Sequence, residues 1–193
     1  MEARAAAAGA TRERIVDVAY EQFMDHWYDE VTLRDLARRA GVALQTVVNH
    51  FGTKENVFIA VSERFSARIA ELRGEARPHD LKGAAAALVA DYEVTGAAGM
   101  RALALEERVP VVADALAGGR RTHRAWVERT FPALLSGLRG ARRRRALAEL
   151  LAVTDVLTWK MLRRDQGLGR AQTEEAIREL LEAVHDQHKG RTK

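Results

Sequence analysis

The chain has 193 residues, 47% hydrophobic and 30% charged, with no cysteine. That composition suits a soluble globular protein of one or two small domains, and it excludes disulfides, thiol catalysis and cysteine-based zinc sites. The formal net charge of +4 invites a nucleic-acid partner, yet Met1 to Ala60 carry seven Lys or Arg against nine Asp or Glu, so attraction for phosphate in that segment must come from a few placed groups.

Met1 to Ala10 is alanine-rich and lacks the charged-then-apolar pattern of a signal peptide, so residues 1–10 are expected to form a flexible arm. Ile15, Val18, Ala19 and Phe23 share a face at helical spacing and predict a first helix from Thr11 to Met24. Asp29 and Glu30 make a polar entry to Val31. Thr32 precedes Leu33, Leu36, Ala37 and Ala40, with Asp35 three residues on, the pattern of an N-cap in a capping-box-like arrangement. A short helix from Leu33 to Ala40 follows, then Gly41, which tolerates positive φ, and Val42 turning back to the core. A second short helix, Ala43 to Phe51, buries Val47 and Phe51 and presents Gln45, Thr46, Asn49 and His50. The pair is a helix-turn-helix, and its exposed polar side chains suit base edges and phosphates. Gly52 and the N-cap candidate Thr53 lead into a fourth helix from Lys54 to Arg73, patterned Val57, Phe58, Val61, Phe65, Ile69, Leu72.

Gly74 to Asp80, with Pro78, reads as a loop. Beyond it a helix from Leu81 to Val94 is expected, then an interruption at Gly96 and Gly99, a short helix from Met100 to Arg108, a stop at Pro110, and a turn or two from Val111 to Leu116. Gly118 and Gly119 should interrupt again before a helix from Arg120 to Leu138 that Pro132 kinks. Broken helices leave irregular interior space where small-molecule pockets form, and a mostly apolar pocket bounded by Tyr92, Met100, Trp126 and His123 is the ligand-binding expectation. Arg142 to Arg145 read as the solvated start of a C-terminal helix. From Ala146 to Leu162 apolar residues run nearly all round the helix, and a last helix capped by Thr173 carries the stripe Ala176, Ile177, Leu180, Leu181, Val184. Helices with that much apolar surface are expected to pair with the same two helices of a second subunit. Leu150, Leu157, Met161, Ile177, Leu180, Leu181 and Val184 are the dimerisation candidates.

The run from Thr11 to Val61, with T-x-R-x-x-A from Thr32, G-V at 41, T-V-V-N-H-F from Thr46 and G-T-K-E from Gly52, resembles the DNA-binding domain of the TetR family of transcriptional regulators. W-K-M-L-R-R-D-Q-G-L from Trp159 is similar to a pattern in that family's dimerisation helices. The resemblance implies an all-α chain of about nine helices. Its DNA-binding domain would cover residues 11–56, and residues 57–193 would bind ligand and dimerise. It implies a homodimer on a double-stranded palindromic operator, most often a repressor, released when a small-molecule effector shifts the fourth helix. Position by position it implies that Arg34 reaches a guanine edge, that Leu44, Gln45 and Asn49 face the major groove, and that Thr32, Thr46, His50 and Lys54 meet phosphates. Val48 stands where the family usually has tyrosine, so one contact is lost.

Other chemistry is thinly represented. His185 and His188 could share a metal, but no further ligand is placed near them, and a solvated helix end is the simpler reading. No G-x-S-x-G, Walker or dinucleotide motif is present, so neither enzyme activity nor cofactor is expected. No run of about 18 apolar residues occurs, so no membrane span is expected; a cytoplasmic location is the expectation, with which the absence of cysteine is compatible. Two alternatives stay open: a ligand-independent dimer binding DNA or a protein partner, and a helical enzyme.

Overall fold

The computed structural model describes residues 2–74, 77 and 80–189, excepting the side chains of residues 2–4 and 189. Among the described residues there are helices and no strands: α1 (Glu2–Asp25), α2 (Leu33–Arg39), α3 (Leu44–Phe51), α4 (Lys54–Arg73), α5 (Leu81–Leu105), α6 (Pro110–Thr130), α7 (Pro132–Ser136), α8 (Gly140–Val153), α9 (Val156–Lys160), a π-helical turn (Met161–Asp165) and α10 (Arg170–Lys189). The all-α fold expected from the sequence is therefore observed. Much of the loop expected around Pro78 lies outside the described residues.

The N-terminal elements end close to where capping chemistry puts them, with one extension. Helix α1 begins at Glu2, well ahead of Thr11. The added turns are alanine-rich and their described side chains are mostly exposed, so helix propensity rather than burial extends them. The larger corrections come in the middle of the chain. Gly96 and Gly99 lie inside α5, and Gly118 and Gly119 inside α6, with no break at any of them. A helical glycine costs about 1 kcal/mol, less than the burial of Leu88, Val89, Tyr92, Trp126 and Val127 on those two helices returns. Pro132 does restart the chain, as the first residue of α7. The continuous helix expected from Ala146 to Leu162 is broken at Thr154, because Asp155 caps α9 by accepting a hydrogen bond from the Leu157 amide at 2.8 Å. Helix α10 starts at Arg170, ahead of Thr173, whose hydroxyl donates to the Gly169 carbonyl at 3.0 Å instead of capping.

The described contacts fall into two compact units. The first comprises Met1–Arg68 with Ala97–Leu116, the second Ile69–Gly96 with Ala117–Lys193. In the first, Ile15, Ala19, Leu36, Val47, Val57 and Val61 make a core from α1 to α4. Phe23, Tyr28 and Phe58 close one end of it, Phe58 meeting both other rings edge-on at 5.0 and 5.2 Å. Arg64 bonds to Glu13 and Asp17, and Arg101 donates to the Met24 carbonyl.

In the second unit, Leu88, Val89, Val127, Leu147, Leu150, Trp159, Ile177 and Leu181 form the core. Trp159 packs flat on α5 because Gly96 has no side chain: a Cβ there would stand 2.5 Å from the indole. This core corrects part of the dimerisation set. Leu150, Ile177 and Leu181 are fully buried and Val184 nearly so. Those four side chains fill the protomer's own interior, whereas Leu157, Met161 and Leu180 remain 52%, 49% and 42% exposed.

Candidate nucleic-acid interface

Helix α2 is started by Thr32, whose hydroxyl accepts from the Asp35 amide at 3.1 Å and donates to the Asp35 carboxylate at 2.7 Å. Gly41, at φ 64°, reverses the chain after α2, and the Val42 amide returns to the Ala37 carbonyl at 3.0 Å. Arg14 of α1 donates to the Ala40 carbonyl at 3.0 Å, so the end of α2 is closed from outside the motif. Helix α3 then starts at Ala43 without any side-chain cap. The positive end of the helix dipole lies there with no side-chain acceptor bonded to it, an arrangement that favours a phosphate.

The exposed face of α3 carries the expected side chains. Gln45 and Asn49, one turn apart, are joined by a hydrogen bond from Gln45 Nε2 to Asn49 Oδ1 at 2.9 Å. That bond engages the Gln45 nitrogen and the Asn49 oxygen, leaving the Gln45 oxygen as an acceptor and the Asn49 nitrogen as a donor on two exposed residues. Leu44 is 40% exposed beside them, Thr46 and His50 are half-buried at the edges, and Arg34 is exposed on α2. Val47 and Phe51 anchor the opposite face in the core. Thr32 is exposed, but its hydroxyl is already engaged by Asp35. Val48 is half-buried.

The end of α3 is held by a residue set that the sequence pattern did not reveal. Asn56 Nδ2 donates to the Phe51 carbonyl at 2.7 Å. Lys54 donates to the Tyr28 carbonyl at 3.0 Å and lies 4.2 Å from the centre of the Tyr28 ring. Tyr28 in turn donates to Glu55 at 3.2 Å. Burial, and then the Glu55 charge, push the Tyr28 hydroxyl up to about 12, so it stays a donor. Lys54 is thus oriented by Tyr28, twenty-six residues earlier, and no local spacing could announce that contact.

The second unit holds a buried polar cluster. Asp91 is wholly buried and Arg73 is 7% exposed, and their charges meet at 2.7 Å. Arg73 also donates to His123 Nδ1 at 2.7 Å and to the Tyr92 hydroxyl at 3.2 Å. Because arginine can only donate, His123 accepts at Nδ1 and donates from Nε2 to Thr154 Oγ1 at 2.9 Å. Burial, and then the Arg73 charge, hold His123 down at about 3, so it is neutral. Tyr92 donates to the Thr154 carbonyl at 2.8 Å, and burial raises its pKa, so the hydroxyl keeps its proton. Three of the four expected ligand residues, Tyr92, His123 and Trp126, therefore meet around Arg73. Met100 belongs to the first unit and is not among them. Arg73 itself was read only as a helix end, since a lone arginine carries no sign of its buried partner.

His188 bonds to Glu149 at 2.6 Å, and no group of three or more metal-ligating side chains occurs among the described residues. Among those residues, no helix is long and apolar enough to cross a membrane.

A family model described as bacterial regulatory proteins, tetR family, matches residues 15–61. The HTH-type transcriptional repressor AcnR of Corynebacterium glutamicum is 35% identical over 65 residues, 34% of this chain and 35% of that protein. The match thus spans about a third of the curated relative's length. Similarity of fold extends much further. A transcriptional regulator from Rhodococcus sp. Rha1 superposes with a TM-score of 0.69 at 18% identity, covering 91% of this chain and 96% of that one. SmeT, in a complex with triclosan, superposes with a TM-score of 0.62 at 20% identity, covering 91% of each chain.

Proposed function

Through residues 15–61 this chain belongs to the tetR family of bacterial regulatory proteins, and on that premise we propose that it is a dimeric, sequence-specific DNA-binding transcription regulator. The observation that carries this reading is the exposed Gln45–Asn49 amide pair on a helix whose N-terminus has no side-chain cap. Such a helix can read a base edge bidentately while its backbone holds a phosphate. Gln45, Asn49, Leu44 and Arg34 take the base-reading roles, and Thr46, His50, Lys54 and Thr32 the phosphate roles. Residues 11–56 are assigned to DNA and residues 57–193 to ligand binding and dimerisation, with Leu157, Met161 and Leu180 as the face that meets a second copy.

AcnR is a transcriptional repressor, and repression is the mode we assign here. SmeT binds triclosan, which supports a small-molecule effector for this chain as well, placed at Tyr92, His123 and Trp126 around Arg73. The effector need only bind more tightly to the conformation that does not hold DNA. Selection of bound duplexes from random DNA tests the reading: the purified protein should enrich a palindrome with two half-sites about one helical turn apart. Failure to enrich any palindrome overturns it.

A further inference from the structure

The buried cluster of the second unit leaves two donors unused. Trp126 and Trp159 are 5% and 1% exposed, and neither indole Nε1–H has a hydrogen-bond partner among the described residues. Each buried N–H without an acceptor has lost its hydration with nothing in exchange. Phenylalanine at either position would supply an aromatic ring without that loss.

The two indoles stand at either end of one chain of contacts, Trp126 beside Arg73 and Trp159 beside Tyr92. The Arg73 guanidinium lies 5.2 Å from the Trp126 ring and 5.5 Å from the Tyr92 ring. Tyr92 is 6.0 Å from Trp159, and His123 stacks on Trp126 at 5.9 Å. The buried charges in this group are already balanced, because Arg73 is neutralised by Asp91 at 2.7 Å, and the guanidinium of Arg164, 5.2 Å from the Trp159 ring, belongs to an exposed residue. An anion would add an uncompensated negative charge to a buried site, and a cation would meet the guanidinium. What the cluster lacks is an acceptor, not a charge.

We propose that the interior of the second unit binds an uncharged, planar aromatic molecule with acceptor oxygens, as in an aryl ketone or a quinone, which accept from Trp126 and Trp159. The ligand ring packs beside Tyr92 and Trp126, and its oxygens take the indole protons that the protein leaves unmatched. Binding requires the core to part around these side chains, so the bound conformation differs from the ligand-free one. This deepens the effector reading given above and rests on it for its regulatory consequence.

The test uses the full chain labelled with nitrogen-15 and three probes of one shape: 2-acetylnaphthalene, 2-ethylnaphthalene and 2-naphthoate. The three tryptophans give three indole signals. Trp27, 40% exposed in the first unit, serves as an internal control and is assigned with Trp27→Phe. The expected result is that 2-acetylnaphthalene, with its single oxygen, moves at least one of the two buried indole protons downfield, leaves Trp27 in place, and binds at least about tenfold tighter than 2-ethylnaphthalene. Trp126→Phe and Trp159→Phe should bring the two affinities together, and if either variant fails to fold, the indole shifts of the unaltered protein decide. Equal binding of the acetyl and ethyl probes, tighter binding of the naphthoate, or no binding with unmoved indoles each overturns the proposal. Operator selection on the same preparation separates the two readings. A palindrome enriched without probe binding removes the ligand inference alone, and probe binding without any enriched palindrome removes the regulator reading alone.

Discussion

Gln45 and Lys54 lie on or beside the same helix, and the roles proposed for them differ with their surroundings. Gln45 is exposed and bonded only to Asn49, so Gln45→Ala should relax base preference at one or two operator positions. Lys54 carries a charge steadied by the Tyr28 carbonyl and ring, so Lys54→Ala should weaken binding to all sequences about equally and lower the salt slope by about one unit. Competition binding across single-base operator variants and a salt titration read the two effects apart. His123 supplies a residue-scale prediction about stability. Its usual value of 6.5 falls to about 3 in the fold, chiefly through burial. As pH drops below 6.5 the unfolded chain takes up a proton that the folded chain refuses until about 3. Stability is therefore complete above that window and declines as pH falls through it, by at most about 1.4 kcal/mol per pH unit. Urea midpoints at about pH 7.5 and about pH 5 should show that decline, and His123→Gln should reduce it. The exposed side chains of α3 could be picked out from the sequence because they share one helix with their anchors Val47 and Phe51. Arg73, Asp91 and Thr154 could not, since each draws its role from a partner on another helix.

At the scale of the element, capping and periodicity located the helices of the N-terminal motif and α4 well and misjudged those of the middle of the chain. Thr32 and Gly41 bound α2 through local bonds that a few residues of sequence contain. Glycine in α5 carries two opposite meanings. A Cβ at Gly99 would meet nothing within 4 Å, so Gly99→Ala should stabilise the protein by about 1 kcal/mol through helix propensity. At Gly96 the added Cβ would press on the Trp159 indole, so Gly96→Ala should destabilise it despite the same propensity gain. Thermal midpoints of the two variants should move in opposite directions. The break between α8 and α9 has a local signal in Asp155, which an unbroken run of apolar residues concealed.

At the scale of the whole molecule, the function proposed above requires two copies acting together. Helix α3 carries no full positive charge beyond whatever proton His50 binds. Specific polar contacts at two half-sites, rather than general attraction for the phosphate backbone, must then supply affinity. Leu157, Met161 and Leu180 are large apolar side chains left in water by the protomer. Met161→Glu should shift a dimer toward monomer in sedimentation velocity and reduce operator affinity with it, while leaving the thermal midpoint of the protomer nearly unchanged, since that side chain is half exposed. A dimer that survives this substitution would place the interface elsewhere.

The sequence by itself determined the all-helical class, the helix-turn-helix and the face that α3 turns outward, because each depends on contacts made within a few residues of chain. Tertiary structure alone decided which apolar side chains the protomer keeps for itself, that the mid-chain glycines leave their helices unbroken, and that Arg73 is buried against Asp91 between Tyr92 and Trp126. Those outcomes follow from packing between helices far apart in sequence. There a buried charge or a missing Cβ takes its meaning from whatever stands opposite.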